Sequence, residues 1–314
     1  MSPREQVEQI KAKALSLGFD LCGIAPASPS AHADHLRAWL AAGRHGQMHY
    51  LAERAEERAD LRAYFPPAKT VVCVAMNYHV PLADADPPPT AGRVARYALG
   101  DDYHEHIKDR LKALADWIRE SWPGTVTKIG VDTVPVLERE LAVRAGIGWQ
   151  GKNTCVISPA IGSWLFLAEV ITSLDLPTDE PETDHCGTCT RCIDACPTGA
   201  IDRPYELDAT RCISYLTIEH GGEIAEELAR RSGDWLYGCD ICQDVCPFNR
   251  RAPAATDPHL RPRLPDGRLD AAAVAEWALD AYHTATRRTA MRRVSLPLWQ
   301  RNARTVLENA QCHT

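Results

Sequence analysis

Cys186, Cys189, Cys192 and Cys196, with Pro197 directly after, place four thiols in a C-x-x-C-x-x-C-x-x-x-C-P run. At that spacing three thiolates wrap one corner of a [4Fe–4S] cube, and the fourth belongs to a second cube. A partner run lies downstream, where Cys239, Cys242 and Cys246 precede Pro247 but lack one cysteine of the pattern; Cys212, between the runs, supplies it. The crossed assignment is therefore Cys186, Cys189, Cys192 and Cys246 on one cluster, and Cys212, Cys239, Cys242 and Cys196 on the other. Eight of the twelve cysteines are then used. Paired zinc sites need only C-x-x-C pairs and explain neither the x-x-x-C-P step nor the isolated Cys212. A disulfide framework belongs to short secreted chains, and this sequence of 314 residues opens with no signal peptide. The spacers put the two cubes roughly ten to fifteen ångströms apart, close enough for electrons to hop between them.

Two small cubes carry electrons one at a time, so the chemistry they serve must lie elsewhere. Asp132 ends a β-branched stretch and leads through Pro135 into a helix-like segment and then AGIGWQGKNT at 145–154. A carboxylate at a strand end is placed to project into a cleft. An Asp just ahead of a proline-started helix is also a common cap, and on spacing alone capping is the stronger reading, with Thr133 and Val134 competing for it. A second polar cluster, RYALGDDYH at 96–104, also starts a helix, where its aspartates offset the macrodipole. The string GIGWQG at 146–151 fits G-x-G-x-x-G, but no strand precedes it and no dinucleotide site is expected.

The elements that must position these residues read as α+β. Helical periodicity covers 4–17, 31–42, 104–121 and 136–145, and β-branched or apolar runs predict strands at 69–78, 125–132 and 164–171. An acidic, proline-bearing stretch at 175–184 reads as a linker, which divides the chain into 1–175, a cysteine-bearing 176–250, and 251–314. The last part opens on a proline-rich surface segment and closes on two or three helices. The run ADADPPP at 83–89 reads as an exposed loop. Hydrophobic residues make up 45% of the chain, with no apolar run near the roughly 20 residues that span a bilayer. A net charge of −7 argues against general nucleic-acid avidity. A local basic surface is nonetheless present from 281 onward, where Arg287, Arg288, Arg292, Arg293, Arg301 and Arg304 face a single acid, Glu308.

In HGQMHYL (45–51), ARYALGDDYH (95–104), DTVPVLERELAVRAGIGWQGKNT (132–154), CGTCTRCIDACPTGAI (186–201), RCISYLTIEH (211–220) and YGCDICQDVCPFN (237–249), the chain resembles the epoxyqueuosine reductases. These are cobalamin-dependent iron–sulfur enzymes that complete queuosine synthesis in tRNA. The chain stops where longer members continue with further helical repeats. The resemblance implies a nitroreductase-like cobalamin-binding domain with a mixed sheet flanked by helices, a bacterial-ferredoxin-like domain with two [4Fe–4S] clusters, and a short helical tail. It implies Asp132 as proton donor, its pKa raised by burial against the corrin, and corrin contacts from Tyr97, Asp102, Tyr103, Lys152, Asn153, Ser158, Thr217, Glu219 and His220. The substrate would be a tRNA carrying epoxyqueuosine in its anticodon loop, bound through the arginine-rich tail. A low-potential electron donor, a monomer, no membrane and a cytoplasmic location are expected. Cys22, Cys73, Cys155 and Cys312 are left over, the first three in apolar contexts that suit inert buried thiols. The alternatives are a corrinoid reductive dehalogenase, whose relatives generally carry an export signal, and a cofactor-free ferredoxin-type electron-transfer protein.

The cysteine count generates a direct expectation: anaerobically reconstituted protein should hold close to eight irons and eight sulfides per chain. Zinc, or half that iron, contradicts the assignment. Replacing Cys196 should damage the cluster of the downstream run, and replacing Cys246 that of the upstream run.

Overall fold

The computed structural model describes residues 2–83 and 87–312, so part of the 83–89 run lies outside the described residues. The strands are β1 (Leu21–Pro26), β2 (Thr70–Asn77), β3 (Ala91–Val94), β4 (Thr127–Gly130), β5 (Trp149–Gln150), β6 (Val156–Ile157), β7 (Leu165–Thr172), β8 (Trp235–Tyr237) and β9 (Arg268–Asp270). The helices that position the site are α1 (Pro3–Ser16), α2 (Tyr103–Ser121), α3 (Glu138–Arg144), α4 (Ile213–Ile218) and α5 (Leu296–Gln311).

Strand alternation sorts the side chains of the larger sheet, ordered β1-β2-β7-β4, into two layers. Val72, Val74 and Met76 pair directly with Val170, Ala168 and Phe166 and pack with Val7, Ile10 and Ala14 of α1 and Ile107, Leu111, Leu114 and Ile118 of α2. The α2 set recurs at helical spacing, which gives that helix its apolar face. On the opposite face Val71, Cys73, Ala75 and Ile171 pack under Leu141 and Ala142 of α3.

All pairings of this larger sheet are antiparallel, where a mixed sheet was expected. Interleaved helices suit parallel crossovers, but long helical connections equally allow a strand to return in the opposite sense. The mixed pairing lies in the smaller sheet, where β3 runs parallel to β8 and antiparallel to β9. One strand from each of the three stretches of sequence builds that sheet.

The last helix fastens this junction. Asn302 donates through Nδ2 to the carbonyls of Thr217 and Leu236, each at 2.9 Å. The Arg301 guanidinium donates to the carbonyls of Leu216, His220 and Gly222, each at 2.6 Å. Arg301 is buried, so it belongs to this clamp and not to the basic surface expected of the tail. Carbonyls at a helix end lack intrahelical donors, and a guanidinium fork satisfies several at once. No helix among the described residues is long and apolar enough to cross a membrane.

Candidate active site and cluster cysteines

The cysteines of the two runs gather into two neighbourhoods that cross the runs. Burial first, then neighbouring thiols, hold Cys246 and Cys192 above the ordinary thiol range: Cys246 lies beside Cys186 and Cys189, and Cys192 beside Cys186 and Cys246. Cys239 is pushed up likewise by burial and by Cys212 and Cys196. Among the described residues no three His, Cys, Asp or Glu side chains are placed to hold a single metal ion. Converging thiolates repel one another, and the positive irons of a cluster relieve that repulsion, so the donor sets fit two cubes. Cys155 departs from the expectation of an inert thiol. Its contact with the Cys242 thiol is the largest influence on both, lowering Cys155 and raising Cys242.

The loop joining β5 to β6 ties both runs to the sheet domain. Lys152 donates from Nζ to the carbonyls of Gly187 at 2.6 Å and Cys189 at 3.0 Å. Trp149 directs its Nε1 at the Cys186 sulfur, 3.5 Å away, and Asn153 directs its Nδ2 at the Cys242 carbonyl, 3.4 Å away. Cysteine loops leave main-chain carbonyls outside secondary structure, and these donors meet that need. From the other side, Arg96 pairs with Asp240 at 3.2 Å and Asp244 at 2.7 Å.

Asp132 sits in the strap between β4 and α3, in the left-handed region at φ 56°. That conformation costs an L-residue about 1 kcal/mol or more, least for Asp and Asn. Its N–H donates to Glu138 Oε1 at 2.5 Å, which holds the strap closed. The capping reading fails here, because α3 begins only at Glu138, with Leu137 as its N-cap and no side-chain cap. The carboxylate instead faces outward, 59% exposed. Its Oδ2 accepts from the Tyr103 hydroxyl at 3.1 Å and lies 3.2 Å from His104 Nε2. The other ring nitrogen, Nδ1, lies 2.8 Å from Asp102 Oδ1. Burial works against a charged ring, yet hydrogen bonds to the two aspartates push His104 up to about 9. The same His104 bond, against some burial, holds Asp132 below the ordinary carboxylate range. This reverses the raised value expected of a buried acid, since the side chain opens on the cleft and has a cationic partner.

Behind the strap lie two further acids, Glu138 half-buried and Glu169 buried. Glu138 is pushed upward by burial and by the charge of Asp132. Glu169, 1% exposed on β7, is pushed well upward by burial, with Glu138 and Asp132 adding to it. On the same face of β7, half-buried Leu165 and Leu167 border a cavity of about 130 Å³ that Tyr78, Arg139, Cys155 and Gln243 also line. Cys155, which contacts the Cys242 thiol, is among its walls.

Of the expected contact residues, Tyr103 touches Asp132, Asp102 reaches it through His104, and Tyr97 stacks edge-on to Tyr103 at 6.2 Å. Glu219 pairs with Arg293 at 2.7 Å, whose charge reaches Asp132. The rest are engaged elsewhere. Lys152 and Asn153 hold the cysteine loops as described. Ser158 is buried, and its Oγ accepts from Ala160 N–H at 3.3 Å. Thr217 accepts from Gly238 N–H at 2.9 Å, ahead of Cys239, and His220 Nε2 lies 2.9 Å from the Glu223 carbonyl. Sequence reasoning missed His104, Glu138, Glu169 and the placement of Cys155. A lone acid within the apolar run LFLAEVIT was the available signal for Glu169.

The His104 pair carries its own test. It is charged on both sides only above the lowered pKa of Asp132 and below the raised pKa of His104. What it contributes to strap order is therefore complete below the unfolded histidine value, fades as pH rises through about 9, and fades on the acid side as Asp132 protonates. An NMR titration should find His104 near 9. Asp102→Asn should move it back toward the ordinary value of about 6.5. An unperturbed His104 in the native chain contradicts the pairing.

Known proteins match this chain along its length. Residues 58–133 match the model of epoxyqueuosine reductase QueG, DUF1730, and residues 185–249 that of the 4Fe-4S double cluster binding domain. The epoxyqueuosine reductase of Xanthomonas campestris pv. campestris is 41% identical over 98% of this chain and 88% of its own. A solved Bacillus subtilis epoxyqueuosine reductase, with its catalytic aspartate loop swung out of the active site, superposes at TM-score 0.91 with 30% identity, over 99% of this chain and 83% of that one. Another, crystallised with a tRNA-Tyr epoxyqueuosine-modified stem loop, gives 0.90 with 32% identity over the same shares. A catabolic reductive dehalogenase shares the fold alone, at 18% identity and TM-score 0.50, over 80% of this chain and 33% of its own. The chain belongs to the epoxyqueuosine reductase family.

Proposed function

We propose that this chain reduces epoxyqueuosine to queuosine in the anticodon loop of a tRNA. The observation that carries the reading is the exposed Asp132 carboxylate, held by the Tyr103 hydroxyl and by His104 in a chain that also gathers the thiols of two cysteine runs. Opening the epoxide and releasing its oxygen as water consumes two electrons and two protons. The eight crossed cysteines hold two [4Fe–4S] clusters that bring the electrons in singly from an external low-potential donor. A corrinoid, when bound, would supply a strong nucleophile toward the strained ring.

The chain's own part is to hold and deliver protons. In the open cleft the proton rests on His104 Nε2, with Asp132 ionised beside it. Covering the cleft removes water from the carboxylate, which raises its proton affinity. The proton then passes from Nε2 to Asp132 Oδ2 and on to the departing oxygen, while the Tyr103 hydroxyl, donating to Oδ2, fixes the direction of the carboxylate. Tyr97 and Tyr103 wall the same mouth. Lys152, Asn153 and Thr217 act indirectly, by fixing the cysteine loops. The enzyme works as a monomer in the cytoplasm, where thiolates stay reduced and tRNA is found.

The RNA approaches over the tail. Arg287, Arg288, Arg292 and Arg304 are exposed, and the Arg288 carbonyl accepts from Asp102 N–H at 2.9 Å, which sets this basic loop beside the His104 pair. Arg293 is partly spent on Glu219. An anticodon loop can splay its modified base into the cleft while its phosphates meet the arginines.

Asp132→Asn should keep clusters and corrinoid and lower turnover by roughly two to four orders of magnitude. Near-normal turnover removes Asp132 from the chemistry. Reversing Arg287, Arg288 and Arg292 to glutamate should raise the tRNA Michaelis constant and flatten its salt dependence with cofactor content intact. An unchanged constant and salt slope place the RNA surface elsewhere.

A further inference from the structure

Each turnover consumes two protons, and the pair at the cleft mouth holds one. His104 Nε2 carries it against Asp132, and once it is given up, the mouth is covered by the substrate. The second proton has to come from within the protein or through a covered site. Near Asp132 the chain places two further acids, each within electrostatic reach of it. Glu138 Oε1 accepts from the Asp132 N–H at 2.5 Å. Glu169 lies further in, 1% exposed, with its Oε2 buried and without a hydrogen-bond partner. We propose that Glu138 and Glu169 form a buried proton reserve that recharges Asp132 during turnover, an inference that rests on the epoxide-reducing reading above.

A latch alone does not account for these residues. Holding the strap requires only an acceptor at Glu138, which an amide oxygen supplies equally well. Glu169 is harder to account for as structure. A buried carboxyl with an unmatched oxygen lowers stability, and its neighbours in β7 are apolar. The groups that face it are Glu138, Asp132 and the Cys73 thiol. Those that face Glu138 are Asp132, Glu169, Arg139, His104, Tyr103 and the Cys73 thiol. With acids on one another's borders and little water, the neutral forms are favoured at Glu138 and Glu169 while Asp132 stays ionised. Acids whose environments drive their proton affinities apart are suited to passing a proton in one direction.

The step balances. Both epoxide carbon–oxygen bonds break and a carbon–carbon double bond forms in their place, with two electrons supplied by the external donor through the clusters. One proton leaves His104 through Asp132, and the second leaves Glu138, which is refilled from Glu169. The oxygen departs as water. Glu138 and Glu169 touch neither substrate nor reacting atoms in this scheme, so they are proton-supplying residues and not catalytic ones.

The test uses the cluster-loaded, corrinoid-loaded enzyme with epoxyqueuosine-bearing tRNA and compares wild type, Glu138→Gln and Glu169→Gln. Both variants keep an acceptor and lose the acid. Turnover at saturating tRNA should fall on the order of tenfold or more above neutrality and recover toward acid pH, where solvent protons substitute. The tRNA Michaelis constant and the iron and corrinoid contents should stay unchanged. A loss that is the same at every pH marks a structural role and overturns the proposal, as does a profile that superposes on wild type. A readout independent of turnover is the infrared spectrum of the wild-type protein at neutral pH. It should contain the C=O stretch of protonated carboxyls, diminished in each variant; its absence from the wild type overturns the reserve even if a variant fails to fold. If wild type itself leaves epoxyqueuosine unreduced, the functional reading fails. If wild type turns over and both variants match it, only the reserve fails.

Discussion

The N–H of Asp132 meets Glu138 across 2.5 Å, and that bond keeps a seven-residue strap folded back over the end of the large sheet. Without it, a residue at φ 56° has every reason to relax and turn its carboxylate away from His104. The strap is permitted by Gly130. A side chain there would come within 2.4 Å of Val134 Cγ2 and 3.3 Å of Glu169 Oε2. Closure therefore aligns three acids from a strand end, a helix start and a neighbouring strand, and sets His104 opposite the outermost. The fold's antiparallel core matters to function mainly because it makes β4 and β7 neighbours, pairing Gly130 with Glu169.

The second requirement is that electrons arrive where the protons are held. The cysteine runs have little regular structure of their own, with only short helices at Arg191–Asp194 and Ile241–Asp244. Their position is fixed from outside by Lys152, Asn153, Arg96 and the shared sheet β8-β3-β9. Arg301 and Asn302 complete the frame from the far end of the sequence. The frame holds the cysteine loops against the sheet domain that carries Asp132 and His104.

What was readable in advance follows from how local each signal is. The cysteine spacing is wholly local, and the crossed neighbourhoods follow from it. The long strands β2 and β7 and the helices α1 and α2 announced themselves by periodicity, whereas β3, β8 and β9 are three or four residues long and exist only because they pair with distant chain. Asp132 was read as a cap because the local string favours one; the strap delays the helix by several residues, and no nearby pattern encodes that. The sign of its pKa was misjudged for a related reason. The deciding partner, His104, lies 28 residues upstream. Lys152 and Asn153 were expected as corrin contacts, whereas their donors are drawn to the carbonyls of the cysteine loops.

Asp132 and the cysteine loops serve one reaction only if a corrinoid occupies the space between them. The most direct measurement is the corrinoid content of protein reconstituted with iron, sulfide and cobalamin and then freed of excess by gel filtration. The account predicts corrinoid retained in stoichiometric amount with the chain, its cobalt reduced when low-potential electrons are supplied through the clusters. Protein with its full complement of iron that retains no corrinoid would contradict it and leave an electron carrier in place of an epoxide reductase.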